Sequence, residues 1–86
     1  MSKRPPIFDI LIDLPYNRNV ERAEDIILDN LGNELDILKL QQIADYEGFD
    51  LSLREAKSAL LRSTTWSGYV SRKGKSEYSY ILIKLS

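Results

Sequence analysis

The stretch SLREAKSALLRSTTWSGYVSRKGK, residues 52–75, holds a helix start, a helix stop and the entry to a hairpin in one continuous run. Ser52 and Glu55 stand at the spacing of a capping box, in which each side chain satisfies the other residue's backbone N–H. Leu53, Ala56, Leu60 and Leu61 recur at helical spacing after it, so a helix with an inward apolar stripe is expected over 53–64. The β-branched pair Thr64 and Thr65, followed by Trp66 and Gly68, ends that pattern. Tyr69–Ser71 and Tyr78–Leu85 are rich in β-branched and aromatic residues and read as two strands. Between them Gly74 is expected to supply the positive φ of a tight reversal, with Arg72, Lys73 and Lys75 turned outward on residues 71–77.

Upstream the pattern is helical twice more. Val20, Ala23, Ile27 and Leu31 form a stripe that predicts a helix over 20–31, with Asn19 as its cap and Gly32 as its stop. Its outer face carries Glu21, Glu24, Asp25 and Asp29. Asp36 caps a second helix over 37–46, whose inner positions are Ile37, Leu40, Ile43 and Ala44, and Gly48 ends it. Before the first helix, Phe8, Ile10, Ile12 and Leu14 fall on one side and Asp9 and Asp13 on the other, the period of a half-buried strand over 7–14. Residues 1–6, with two prolines and two basic residues, read as a flexible arm, and residues 7–86 as one domain. The expected order is β, α, α, α, β, β.

Net charge conceals a division of the chain. Residues 1–50 hold five Lys/Arg against eleven Asp/Glu, whereas residues 51–86 hold seven against two, within a total of −1. That division favours one acidic and one basic face, the alternative being two halves that neutralise each other through weak exposed pairs. The chain has no cysteine and no histidine, which removes thiolate and imidazole chemistry and with it the usual zinc sites. No cofactor or metal is expected. The carboxylate pairs Asp9 and Asp13, and Asp25 and Asp29, have no nucleophile or complementary base near them in sequence, so the chain does not read as an enzyme. With no apolar run long enough to cross a bilayer, a soluble cytoplasmic protein is the expectation.

Three helices with a short second-to-third turn and a basic two-stranded hairpin resemble the winged helix-turn-helix superfamily. The residues that carry the resemblance are Ala44 and Gly48 in IADYEG, Ala56 and Leu60 in REAKSALL, and GYVSRKGK at 68–75, which looks like the strand entering a wing. The fold class is therefore α+β: a three-helix winged helix-turn-helix domain with a C-terminal hairpin wing and an extra N-terminal strand or arm. The chain departs from the family in two respects. FDLS and TTWSG lengthen the turns on either side of the third helix, and the strand at 7–14 precedes the first helix, where the family's first strand usually lies between helices one and two.

The resemblance implies that helix 53–64 enters the major groove of double-stranded DNA while the wing holds the backbone. With Leu53, Ala56 and Leu60 inward, Arg54, Ser58 and Arg62 lie four residues apart on an outer face, with Lys57 beside them. Thr65 can donate to phosphate near the helix end. The candidate DNA-binding residues are Arg54, Lys57, Ser58, Arg62, Thr65, Arg72, Lys73 and Lys75. The same residues also suit a solvated helix face and a solubilising hairpin tip. Tyr69, Tyr78 and Tyr80 suit either base stacking or packing at the core edge, and Trp66 a plug between the third helix and the hairpin. A homodimer through residues 7–14 and a protein partner on the acidic face of helix 20–31 are the further partners considered. A protein-interaction module that binds no nucleic acid is the rival function, and the pI of about 5.3 favours it.

Overall fold

Asn17 sits in an extended conformation and its side chain accepts the Val20 N–H at 3.0 Å, which starts helix α1 (Arg18–Leu28). The computed structural model describes residues 13–85, so most of the expected strand at 7–14 and the proposed arm and dimer contact lie outside the described residues. The described end of that strand, Asp13 and Leu14, is a turn and bend. The cap of α1 is Asn17 and not Asn19. Asn19 lies in the first turn and its amide donates to the Asp50 carbonyl at 2.9 Å and to Glu55 at 3.3 Å. α1 buries Val20, Ala23, Ile26 and Ile27 and ends three residues before Leu31, where the Asn30 amide takes the Ile26 carbonyl at 2.7 Å.

A strand absent from the sequence reading follows. β1 (Glu34–Leu35) is two residues long, buries Leu35 and pairs antiparallel with β3 (Tyr80–Lys84). Two residues carry no alternation that a period could reveal. The Asp36 side chain then accepts the Lys39 N–H at 2.8 Å and opens α2 (Ile37–Glu47), which buries Leu40 and Ala44. Gly48 closes it in the left-handed region, with φ +92°, where a Cβ would be strained. The capping box at Ser52 and Glu55 opens α3 (Leu53–Ser63) as expected. Leu53 departs from its expected inward position and is 54% exposed.

β2 (Tyr69–Lys73) and β3 complete the antiparallel sheet, in the order β1-β3-β2, with Ser71 opposite Leu82 and Lys73 opposite Tyr80. The fold is thus a small α+β domain of three helices and a three-stranded antiparallel sheet. α3 packs against both other helices, and its Ala56, Ala59 and Leu60 join Val20, Ile26, Leu40, Leu35 and Leu82 in one core. Among the described residues every buried side-chain polar atom has a hydrogen-bond partner. No helix among them is long and apolar enough to cross a membrane.

The reversal between β2 and β3 works differently from the expected tight turn. Gly74 has no positive φ. It is required because a Cβ there would fall 2.6 Å from a carboxylate oxygen of Glu34 and would also meet the Ser79 hydroxyl. The Glu34 carboxylate reaches over from β1 and accepts the Lys75 N–H at 3.0 Å and the Ser79 hydroxyl. These two bonds hold its pKa below the ordinary carboxylate value, the Lys75 N–H contributing most. The hairpin tip is therefore pinned to the body by Glu34, an acid that no local sequence pattern singles out.

Candidate nucleic-acid interface

α3 presents two different flanks away from the core, and they meet different neighbours. The first is the row Arg54, Ser58 and Arg62, expected on a free outer face. The structure covers it with the chain's own segment Asp13–Tyr16. The Arg54 guanidinium donates to the Asp13 carbonyl, and the Ser58 hydroxyl donates to the Pro15 carbonyl at 2.6 Å. The Arg62 guanidinium lies over the Tyr16 ring, 4.1 Å from its centroid, and its Nε donates to the Ser58 hydroxyl at 3.2 Å.

Ser58 is consequently 0% exposed, and Leu61 on the same side of the helix only 4%. The expectation of Ser58 as a surface donor is corrected on that ground: a hydroxyl is short enough to let a neighbouring backbone close over it, and helical spacing alone cannot say that one will. Arg54 remains exposed and Arg62 is half-buried. Arg62 also faces Glu24, whose carboxyl is raised chiefly by burial, against hydrogen bonding from Trp66 and the charge of Arg62. Glu24 is thus turned partly inward, and the free acidic face of α1 is reduced to Glu21, Asp25 and Asp29.

The second flank turns toward the hairpin. The Lys57 ammonium lies 4.7 Å from the centroid of the Tyr78 ring, and the Lys73 ammonium on β2 lies 4.9 Å from that of Tyr80. Tyr78 and Tyr80 stand on either side of the buried Ser79 and both pack on the core edge. Burial raises the Tyr80 hydroxyl pKa, with smaller contributions from Tyr78 and Glu77. Aromatic faces suit lysine stems and ammonium groups, so each ring holds a cation at the surface without neutralising it. The sequence reading assigned these tyrosines to packing or stacking; their part as lysine platforms follows from the register Lys73 opposite Tyr80, which residue spacing does not reveal.

The remaining candidates are dispersed around these two flanks. Arg72 is exposed on the opposite face of β2 from Lys73, on the same face as Val70 and across from Ile81. Lys75 is exposed at the hairpin tip, with its backbone N–H on Glu34. The Thr65 hydroxyl is committed to the Arg62 carbonyl at 2.7 Å and closes the end of α3. Trp66 meets Tyr69 edge to face, with centroids 5.7 Å apart, and plugs the space between α3 and the hairpin as expected. On α2, Tyr46 is 82% exposed and Leu38, two turns earlier, 62%.

Among the described residues no cluster of carboxylates could hold a metal ion. In comparison with protein-family models, curated proteins and solved structures, the chain matches none.

Proposed function

We propose that this chain is a winged-helix domain that binds double-stranded DNA, as a small regulator or an accessory factor in DNA transactions. The single observation that carries the reading is the pairing of Lys57 and Lys73 with Tyr78 and Tyr80. A cation of α3 and a cation of the hairpin are held over rings two residues apart, and the reading takes them as one surface. Exposed Arg54 and Lys75 extend that surface toward the start of α3 and the wing tip, with Arg72 on the hairpin's other face. The position of β1 between α1 and α2, paired with β3, is compatible with a winged helix and is where that family usually has its first strand.

In this reading the phosphate backbone supplies most of the affinity. Lys57, Lys73, Lys75 and Arg54 neutralise phosphates, and base readout by α3 is limited to Arg54 and Lys57 while Ser58 and Arg62 are engaged elsewhere. Four such contacts give a salt slope of about −3.6, so affinity for a generic duplex falls roughly a hundredfold between about 50 and 200 mM salt. Fluorescence anisotropy of a labelled duplex titrated at both salt concentrations tests this.

A second reading is favoured by a specific observation, the exposed Leu38 and Tyr46 on α2, which suit a protein partner. Absence of duplex binding at micromolar protein in low salt supports that reading against the first.

A further inference from the structure

The row Arg54, Ser58 and Arg62 repeats every four residues, an advance of about 6 Å along a helix. The carbonyls that Arg54 and Ser58 take belong to Asp13 and Pro15, two residues apart, and Tyr16 then meets Arg62. The helix row and the segment run in the same direction and in register. Three side chains that lie apart in sequence from residues 13–16 thus act as one binding row for that segment, two of them on its backbone carbonyls and one on its tyrosine ring.

The chemistry of the row exceeds what its present occupant offers. Two guanidiniums and a hydroxyl are all donors, and each bonds a negatively charged oxygen more strongly than a neutral carbonyl. Arg62 has no anionic oxygen from the segment at all; it meets a ring and the hydroxyl of Ser58. Tyr16 is 55% exposed, so the segment is not sealed in place by a deep apolar anchor at that end.

We infer that the outer row of α3 is one site with two mutually exclusive ligands: the chain's own Asp13–Tyr16 backbone and the phosphate backbone of a nucleic acid. The inference rests on the DNA-binding reading and adds a competition to it. With the segment seated, binding uses Lys57, the wing and the N–H groups of exposed Arg54 that Asp13 does not take. With it lifted, Arg62 and Ser58 become available and the contact extends along α3. The segment is thereby an intramolecular competitor that lowers affinity in its resting position.

Tyr16→Ala removes the ring over Arg62 and is the variant that weakens the competitor while leaving every basic residue in place. The cation–π contact it deletes corresponds to about a two- to fivefold change in an equilibrium. Duplex binding by Tyr16→Ala is therefore expected to be about two- to fivefold tighter than by the wild type, with a salt slope steeper by about 0.9 for one added phosphate. Equal or weaker binding, with the slope unchanged, overturns the inference while leaving the DNA reading intact. Binding by neither protein overturns both. Circular dichroism of the variant checks that it is folded, and in the wild type the Tyr16 ring and Arg62 Nε–H resonances are followed through a duplex titration. Shifts of both toward solvent-exposed values support displacement of the segment, and unchanged resonances at saturation overturn it even if Tyr16→Ala fails to fold.

Discussion

Replacing Glu55 with alanine probes how the start of α3 is joined to the start of α1. One carboxylate oxygen accepts the Ser52 N–H at 3.0 Å and the Asn19 amide at 3.3 Å, while the other accepts the Asn17 amide at 2.8 Å. Asn17 is itself the cap of α1, so the acid of one helix's first turn steadies the cap of another. Three hydrogen bonds are lost in Glu55→Ala. A hydrogen bond to a charged group is worth about 1.5–3 kcal/mol when well shielded, but Glu55 is only partly covered, and solvent replaces much of that. A net cost of about 2 kcal/mol follows, or a fall in melting temperature of roughly 8–16 °C for a domain this small.

Ser52→Ala removes only the cap and costs about 1 kcal/mol. Because both residues belong to one box, the double variant costs less than the sum of the two. Urea unfolding followed by far-UV circular dichroism measures all three proteins. A Glu55→Ala cost within about 0.5 kcal/mol of zero, the range of ordinary surface substitutions, refutes the argument that this acid links the two helices.

Further expectations rest on other contacts. Gly74→Ala drives a methyl group into Glu34 and the Ser79 hydroxyl and is expected to lower stability by about 1–3 kcal/mol, read by thermal melting; a neutral effect contradicts the close approach of β1 to the wing. The pKa values of Glu55 and Glu34 are held below 4.5, Glu55 chiefly by the Ser52 N–H and Glu34 chiefly by the Lys75 N–H. Their contribution to stability is complete above their unfolded pKa and is lost as pH falls through the depressed folded values. Glu24, raised by burial, contributes with the opposite sign, its share being lost as pH rises through its folded value. Glu55→Gln should therefore flatten the loss of stability below about pH 4.5, measured as urea midpoints across that window. Tyr46→Ser should change stability by no more than about 0.5 kcal/mol, since the ring is largely in solvent.

The elements legible in the sequence are those that a local rule specifies. The capping box of α3, the Asp36 cap and Gly48 stop of α2, and the hairpin strands each announce themselves within a few residues. β1 does not, because a two-residue strand is defined by its partner Tyr80–Ile81 and not by its own composition. Gly74 was legible as necessary but for a different reason: the space it leaves is filled by Glu34, forty residues away, and no turn rule contains that neighbour.

The candidate site divided along the same line. Helical spacing correctly separated the core stripe of Ala56 and Leu60 from the row Arg54, Ser58 and Arg62, yet spacing describes only which side opposes the core. Whether that side meets solvent depended on residues 13–16. Lys57, one flank over, was the residue that reached the hairpin. Its outcome was set by where the turn before β3 carries Tyr78, a placement that spacing along α3 does not contain.

The central claim is that Lys57 and Lys73 form one cationic surface for a phosphate backbone, and the salt dependence of duplex binding tests it most directly. The wild type and the Lys57→Ala/Lys73→Ala double variant are titrated with the same labelled duplex across a series of salt concentrations. The double variant is predicted to bind more weakly at low salt, with a slope shallower by about 1.8, corresponding to two phosphates no longer neutralised. A double variant with the affinity and slope of the wild type would contradict the account.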